Sequence, residues 1–129
     1  MKKRAILVDI HGTLLDKDGK PNQPLIDLVN NYHDQLDILL ITAEDFYDKD
    51  ELKTELQQQL KDAKIKFSKI LISAFDTSGK SDCEVKQIIY HDQIEDKYSI
   101  DWTMENNKKC AKMWQKMGLL SLQVRHKDE

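Results

Sequence analysis

Ala5-Ile6-Leu7-Val8-Asp9-Ile10-His11-Gly12-Thr13-Leu14-Leu15 joins an unbroken apolar run to a carboxylate and then to a glycine. The run reads as a strand that delivers Asp9 into a glycine-bearing turn. In open α/β folds that position is the carboxyl edge of the sheet, where the chemistry is placed. Strand-like runs recur at 4–9, 36–41, 67–73, 97–101 and 119–124. Between them, Leu25, Leu28, Val29 and Tyr32 share one apolar helical face, and Leu52, Leu56, Leu60 and Ala63 share another. Val85, Ile88 and Ile89 mark a third helix, and Cys110, Met113, Trp114 and Met117 a fourth, with Gly118 at its stop position. This alternation predicts an α/β fold: a three-layer, Rossmann-like parallel sheet of about five strands with helices on both faces.

The chain has 129 residues, enough for one domain over 1–129 with a real core. At 40% hydrophobic and 33% charged, its composition is that of a soluble globular protein. The net charge of −3 argues against broad attraction to nucleic acid and leaves room only for a local basic patch. The basic opening Met1-Lys2-Lys3-Arg4 precedes an apolar run that stops at Asp9, too short for a signal peptide or a membrane span. Two cysteines, Cys83 and Cys110, do not suggest a disulfide framework or a zinc site, so a reducing, cytoplasmic setting is expected.

Asp9-Ile10-His11-Gly12-Thr13-Leu14 resembles motif I of the haloacid dehalogenase (HAD) phosphotransferases, Asp-x-Asp-Gly-Thr-Leu, with His11 in place of the second Asp. The resemblance implies that Asp9 is a nucleophile that forms an aspartyl-phosphate, which requires Mg²⁺ to offset the repulsion between two anions. Thr42, after the second strand, matches the motif II hydroxyl that hydrogen-bonds the phosphoryl group, although a Thr there also suits a helix N-cap. Lys86 matches the motif III cation, and Asp82 is placed to cap its helix or orient it. Asp101, read as ending the fourth strand, resembles the motif IV metal ligand beside Asp9, with Glu105 and Asn106 as supporting groups.

Asp82 to Lys86, Asp101, Met113-Trp114-Gln115-Lys116-Met117-Gly118-Leu119 and Gln123-Val124 together are similar to the 3′-phosphatase domain of phage-type polynucleotide kinase-phosphatases. That similarity implies a phosphorylated small molecule or nucleic-acid end as substrate, with no membrane partner. Where those relatives carry Gly-Arg after the motif II hydroxyl, this chain has Ala43-Glu44, and Glu44 is expected to repel a substrate phosphate. Asp16-Lys17-Asp18-Gly19 reads as the turn of a small hairpin. No interval holds a large cap, so the cap is small or absent and the site open.

His11 can serve as a general acid and base, since imidazole has both protonation states available near neutral pH. A second reading is a catalytically impaired HAD-like binding module, motivated by the altered motifs. A third, a receiver-like phosphoacceptor, is disfavoured by the Gly12-Thr13-Leu14 turn directly after the carboxylate.

Overall fold

A computed structural model describes residues 2–125. Five parallel strands, β1 (Lys3–Asp9), β2 (Asp37–Ile41), β3 (Lys69–Leu71), β4 (Tyr98–Glu105) and β5 (Ser121–Gln123), form one sheet in the order β3-β2-β1-β4-β5. Four α-helices connect them: α1 (Gln23–Tyr32), α2 (Asp50–Asp62), α3 (Asp82–Ile89) and α4 (Lys108–Lys116). A π-helical turn, Tyr90–Ile94, follows α3. The α/β three-layer expectation holds, and the hairpin forms as read: Asp16 Oδ1 accepts the Asp18 and Lys20 amides at 2.8 Å, and Leu15 pairs antiparallel with Pro21.

Alternate side chains of the central strands feed two separate cores. Ile6, Val8, Ile38 and Leu40 pack with Ile26 and Val29 of α1 and Leu56 and Leu60 of α2. Ala5, Leu7, Leu39 and Ile41 pack on the other face with Val85 and Ile89 of α3 and Trp114 of α4. The period of two along a strand thus distributes one apolar run between both helical layers. On α1, Leu25, Val29 and Tyr32 of the predicted face pack on the core together with Ile26, whereas Leu28 is 43% exposed.

The chain moves outward from β1 to β3, then crosses back to β4 on the far side of β1. The strand order therefore reverses between β1 and β4, and ligands of open α/β sheets bind at such a switch point, beyond the carboxyl ends of the strands. Asp9 ends β1 and Glu105 ends β4.

Here the structure corrects the sequence reading. β4 does not stop at Asp101 but continues through Trp102, Thr103, Met104 and Glu105, the last three buried. The β1–β4 register shifts between Ala5 and Ile6, which pair with Ile100 and Trp102 and leave Asp101 in an irregularity. The predicted helix faces also fail to reveal that Cys83 and Cys110 form a disulfide joining the first turns of α3 and α4, with Cα atoms 5.0 Å apart. Two cysteines thus do make a cross-link, and their number no longer argues for a reducing compartment. Among the described residues no helix is long and apolar enough to cross a membrane.

Candidate active site

At the switch point Lys86 reaches in from α3, one turn past the Ser81 N-cap, whose hydroxyl accepts the Glu84 amide. Its Nζ donates to Asp9 Oδ1 at 2.8 Å and to Glu105 Oε1 at 2.6 Å. All three side chains are almost fully buried. Asp9 Oδ2 accepts a 2.9 Å hydrogen bond from Thr13 Oγ1, which in turn accepts the Asn106 amide at 3.1 Å. The nucleophile candidate is therefore held at both oxygens before any ligand arrives.

Burial alone lowers the Lys86 ammonium, but the Coulombic pull of Asp9 and Glu105 outweighs it and the net shift is upward. Glu105 is pushed up from its ordinary 4.5 to about 8 by burial, reinforced by the charge of Asp9 and only partly offset by Lys86. One ammonium cannot neutralise two buried carboxylates, so near neutral pH one proton remains on the acid pair.

A stability prediction follows from that proton. Below about pH 4.5 the Glu105 carboxyl is protonated both folded and unfolded, and its raised pKa costs nothing. Between about 4.5 and 8 the unfolded chain has released the proton that the folded chain keeps, so this group's contribution to stability falls as pH rises and levels off above about 8. Urea unfolding in EDTA across that range measures the slope, and Glu105→Gln should flatten it. An unchanged slope in the variant would remove Glu105 as its source.

Glu105 Oε2 is buried without a hydrogen-bond partner among the described residues. Magnesium takes oxygen ligands, retains several waters and is commonly held by one or two carboxylates. Asp9 and the unpartnered oxygen of Glu105 therefore suit Mg²⁺, while no group of three or more His, Cys, Asp or Glu suitable for a metal occurs among the described residues. Asp101 is not part of this set. It is bound by the guanidinium of Arg4, with Nη2 to Oδ2 at 2.5 Å, and lies four residues before the end of β4. At the rise of an extended strand, Asp101 is about 13 Å from Glu105 along β4. The carboxylate at the strand end belongs to Glu105, and the proposed metal role moves to it.

A cavity of about 370 Å³ opens above the triad, lined by Asp9, His11, Thr42, Ala43, Glu44, Asp82, Lys86, Asn106 and Asn107. His11 Nδ1 and Thr42 Oγ1 share a 3.0 Å hydrogen bond. Thr42 Oγ1 also accepts the Glu44 amide at 3.2 Å, so this hydroxyl organises the turn after β2 as well as facing the cavity. Glu44 Oε2 lies 3.5 Å from His11 Nε2. The residue expected only to repel phosphate is instead the partner of the imidazole. Gly12 has φ +86°, a left-handed conformation that glycine adopts freely, and a Cβ there would sit 3.2 Å from Asn106 Oδ1. That close approach brings the motif I turn against the loop after β4.

Asp9, His11, Thr42, Lys86, Asp82, Glu105 and Asn106 thus meet at one site, whereas Asp101 does not. Sequence reasoning undervalued Glu105 and missed Thr13, Asn107 and the Glu44–His11 contact. A continuous buried-type pattern through Thr103-Met104-Glu105 was the available signal for the first of these.

No curated protein matches the sequence significantly. A chain of the Pnkp1/Rnl/Hen1 complex superposes with a TM-score of 0.85 at 16% identity, covering 97% of this chain and 47% of that one. A chain of the Pnkp1/Rnl/Hen1 RNA repair complex gives 0.85 at 17% identity, covering 99% and 44%. This chain therefore spans just under half the length of each. The model of the polynucleotide kinase PNKP phosphatase domain matches residues 3–128, essentially the whole sheet with its helices and the buried Asp9–Lys86–Glu105 site. With motif I, the switch-point carboxylates and this match all in agreement, the chain belongs to the family of the polynucleotide kinase PNKP phosphatase domain.

Proposed function

We propose that the chain is a Mg²⁺-dependent phosphohydrolase that removes the 3′-phosphate of a nucleotide or nucleic-acid end through an aspartyl-phosphate on Asp9. The observation that carries this reading is the buried Asp9–Lys86–Glu105 arrangement beneath a polar cavity. The RNA repair setting of one structural neighbour supports a nucleic-acid end as substrate.

Asp9 attacks phosphorus through a carboxylate oxygen, and the bond from phosphorus to the leaving oxygen breaks. Lys86 and the Thr42 hydroxyl stabilise the charge that develops on the phosphoryl oxygens. His11 gives a proton to the leaving oxygen. It then takes a proton from the water that attacks the aspartyl-phosphate, restoring the Asp9 carboxylate and releasing phosphate. Glu44, whose Oε2 lies 3.5 Å from Nε2, positions the imidazole. Asp9 and Glu105 would hold Mg²⁺, which when bound would supply neutralisation of the charge between substrate and nucleophile.

The test is phosphate release from a 3′-phosphorylated mononucleotide and a 3′-phosphorylated oligonucleotide, with millimolar Mg²⁺ and with EDTA. Replacement of His11 by alanine should lower kcat by about 10²–10⁴-fold, and His11→Asp should restore much of that loss. Equal rates for all three proteins would remove His11 from the reaction. Absence of Mg²⁺-dependent release on both substrates would favour the impaired binding module.

A further inference from the structure

The phosphate cavity lies between two surfaces of opposite charge. On the hairpin and α2 side it shares His11 and Glu44 with a neighbouring cavity of about 360 Å³, whose other charged lining residues are Asp16, Asp18 and Glu55 against a single Lys17. On the other side stands α4, Lys-Lys-Cys-Ala-Lys-Met-Trp-Gln-Lys, with four lysines and no carboxylate.

The start of α4 belongs to the site itself. Asn107 lines the phosphate cavity and caps the helix, its Oδ1 accepting the Lys109 and Cys110 amides at 2.9 and 3.3 Å. From there α4 runs away from the carboxyl edge of the sheet. Lys109, Lys112 and Lys116 follow at helical spacing on one face and are exposed. Their Cα atoms span about 10 Å along the axis. None of the three forms an ion pair with another described residue, although lysines elsewhere on the molecule do.

The three lysines share a shallow groove with Gln87 of α3 and with Met113 and Met117, and no carboxylate lines it. The Cys83–Cys110 disulfide ties the first turns of its two walling helices together. A surface with this charge, shape and point of departure suits a flexible polyanion whose end occupies the phosphate cavity. The predominantly acidic rim opposite disfavours the alternative route by repulsion. A protein with net charge −3 can still attract a nucleic-acid strand through a local basic surface of this kind.

We infer that a single-stranded nucleic-acid backbone leaves the phosphate cavity along α4, with Lys109, Lys112 and Lys116 as its phosphate contacts. The direction rests on the 3′-phosphate reading above, whereas the binding surface does not require turnover. Lysine contacts of this kind bind backbone without reading sequence, and each phosphate neutralised on a single strand adds about −0.7 to the slope of log affinity against log salt.

The decisive experiment is fluorescence anisotropy with a fluorescein-labelled ten-nucleotide single strand ending in a 3′-phosphate, titrated with the full chain from 50 to 200 mM salt. The triple variant Lys109→Gln/Lys112→Gln/Lys116→Gln should bind roughly tenfold more weakly at the low end, with a salt slope shallower by about 2. A control variant, Lys53→Gln/Lys61→Gln/Lys66→Gln, removes the same charge from and beside α2 and should bind as the parent does. Hydrolysis of a 3′-mononucleotide should be unchanged in both variants. Equal affinity of the α4 variant and the parent, or equal weakening by the control, overturns the inference. Lysine-dependent oligonucleotide binding without turnover of any phosphomonoester would uphold it and refute the hydrolase reading instead.

Discussion

Asp9→Asn is expected to reduce phosphomonoester turnover by on the order of 10⁴-fold or more, because removal of a covalent nucleophile takes away the whole stepwise route. The fold should survive. An asparagine can keep its oxygen toward Lys86, which now donates at 2.8 Å to Asp9 Oδ1. Its amide nitrogen can face Thr13 Oγ1, which donates to Asp9 Oδ2 in the parent and can accept after a hydroxyl rotation. Neutralising this position also removes the charge of Asp9, which after burial is the main influence keeping Glu105 protonated, so Glu105 should titrate closer to the usual carboxylate range. Steady-state phosphate release, read beside the circular dichroism of the variant, separates chemistry from folding. A folded variant retaining the parent rate would end the assignment of Asp9 as nucleophile.

Lys86→Met should produce the largest loss of stability. The ammonium is the only cation bonded to Asp9 and Glu105 among the described residues, and all three groups are buried. Removing one member of a buried ionic cluster strands the others and typically costs about 3–5 kcal/mol. The direction with pH is fixed by the same charges. Without Lys86, both acids must be protonated or desolvated as anions, so the deficit should be small in acid and grow as pH rises. Magnesium should recover part of it at pH 8, since a ligand that binds only the folded state adds stability through its occupancy. Urea midpoints of parent and variant at pH 5 and pH 8, each with and without Mg²⁺, measure all three effects. Identical midpoints at pH 8 would show that the triad does not hold this end of the sheet together.

Much of this site was legible in the residues themselves. Asp9 and Thr42 sit directly at the ends of apolar strands, and the end of a buried strand is a local property of hydrophobic pattern. Lys86 was legible for a similar reason, because Val85 and Ile89 fix the buried face of α3 and carry Lys86 inward with them. Asp101 misled because Tyr98-Ser99-Ile100-Asp101 looks like a complete strand with an acid at its tip. The true tip lies at Glu105, since an irregularity opposite Ala5 and Ile6 absorbs Asp101 and lets pairing with β1 resume. Arg4 then neutralises Asp101 on the exposed side. Glu44 was read through the residue it replaces, which says nothing about its contact with His11.

By itself the sequence determined the alternation of strands and helices, the two-sided core, and the delivery of Asp9 to the edge of the sheet through the Gly12 turn. These follow from periodicity and turn chemistry, which act over a few residues. Only the tertiary structure decided which acid faces Asp9, that Cys83 meets Cys110 across 27 residues, and that His11 lies between Thr42 and Glu44. Such pairings depend on strand register and on how helices pack over the sheet, and through-space distances of that kind leave no periodic trace in the chain.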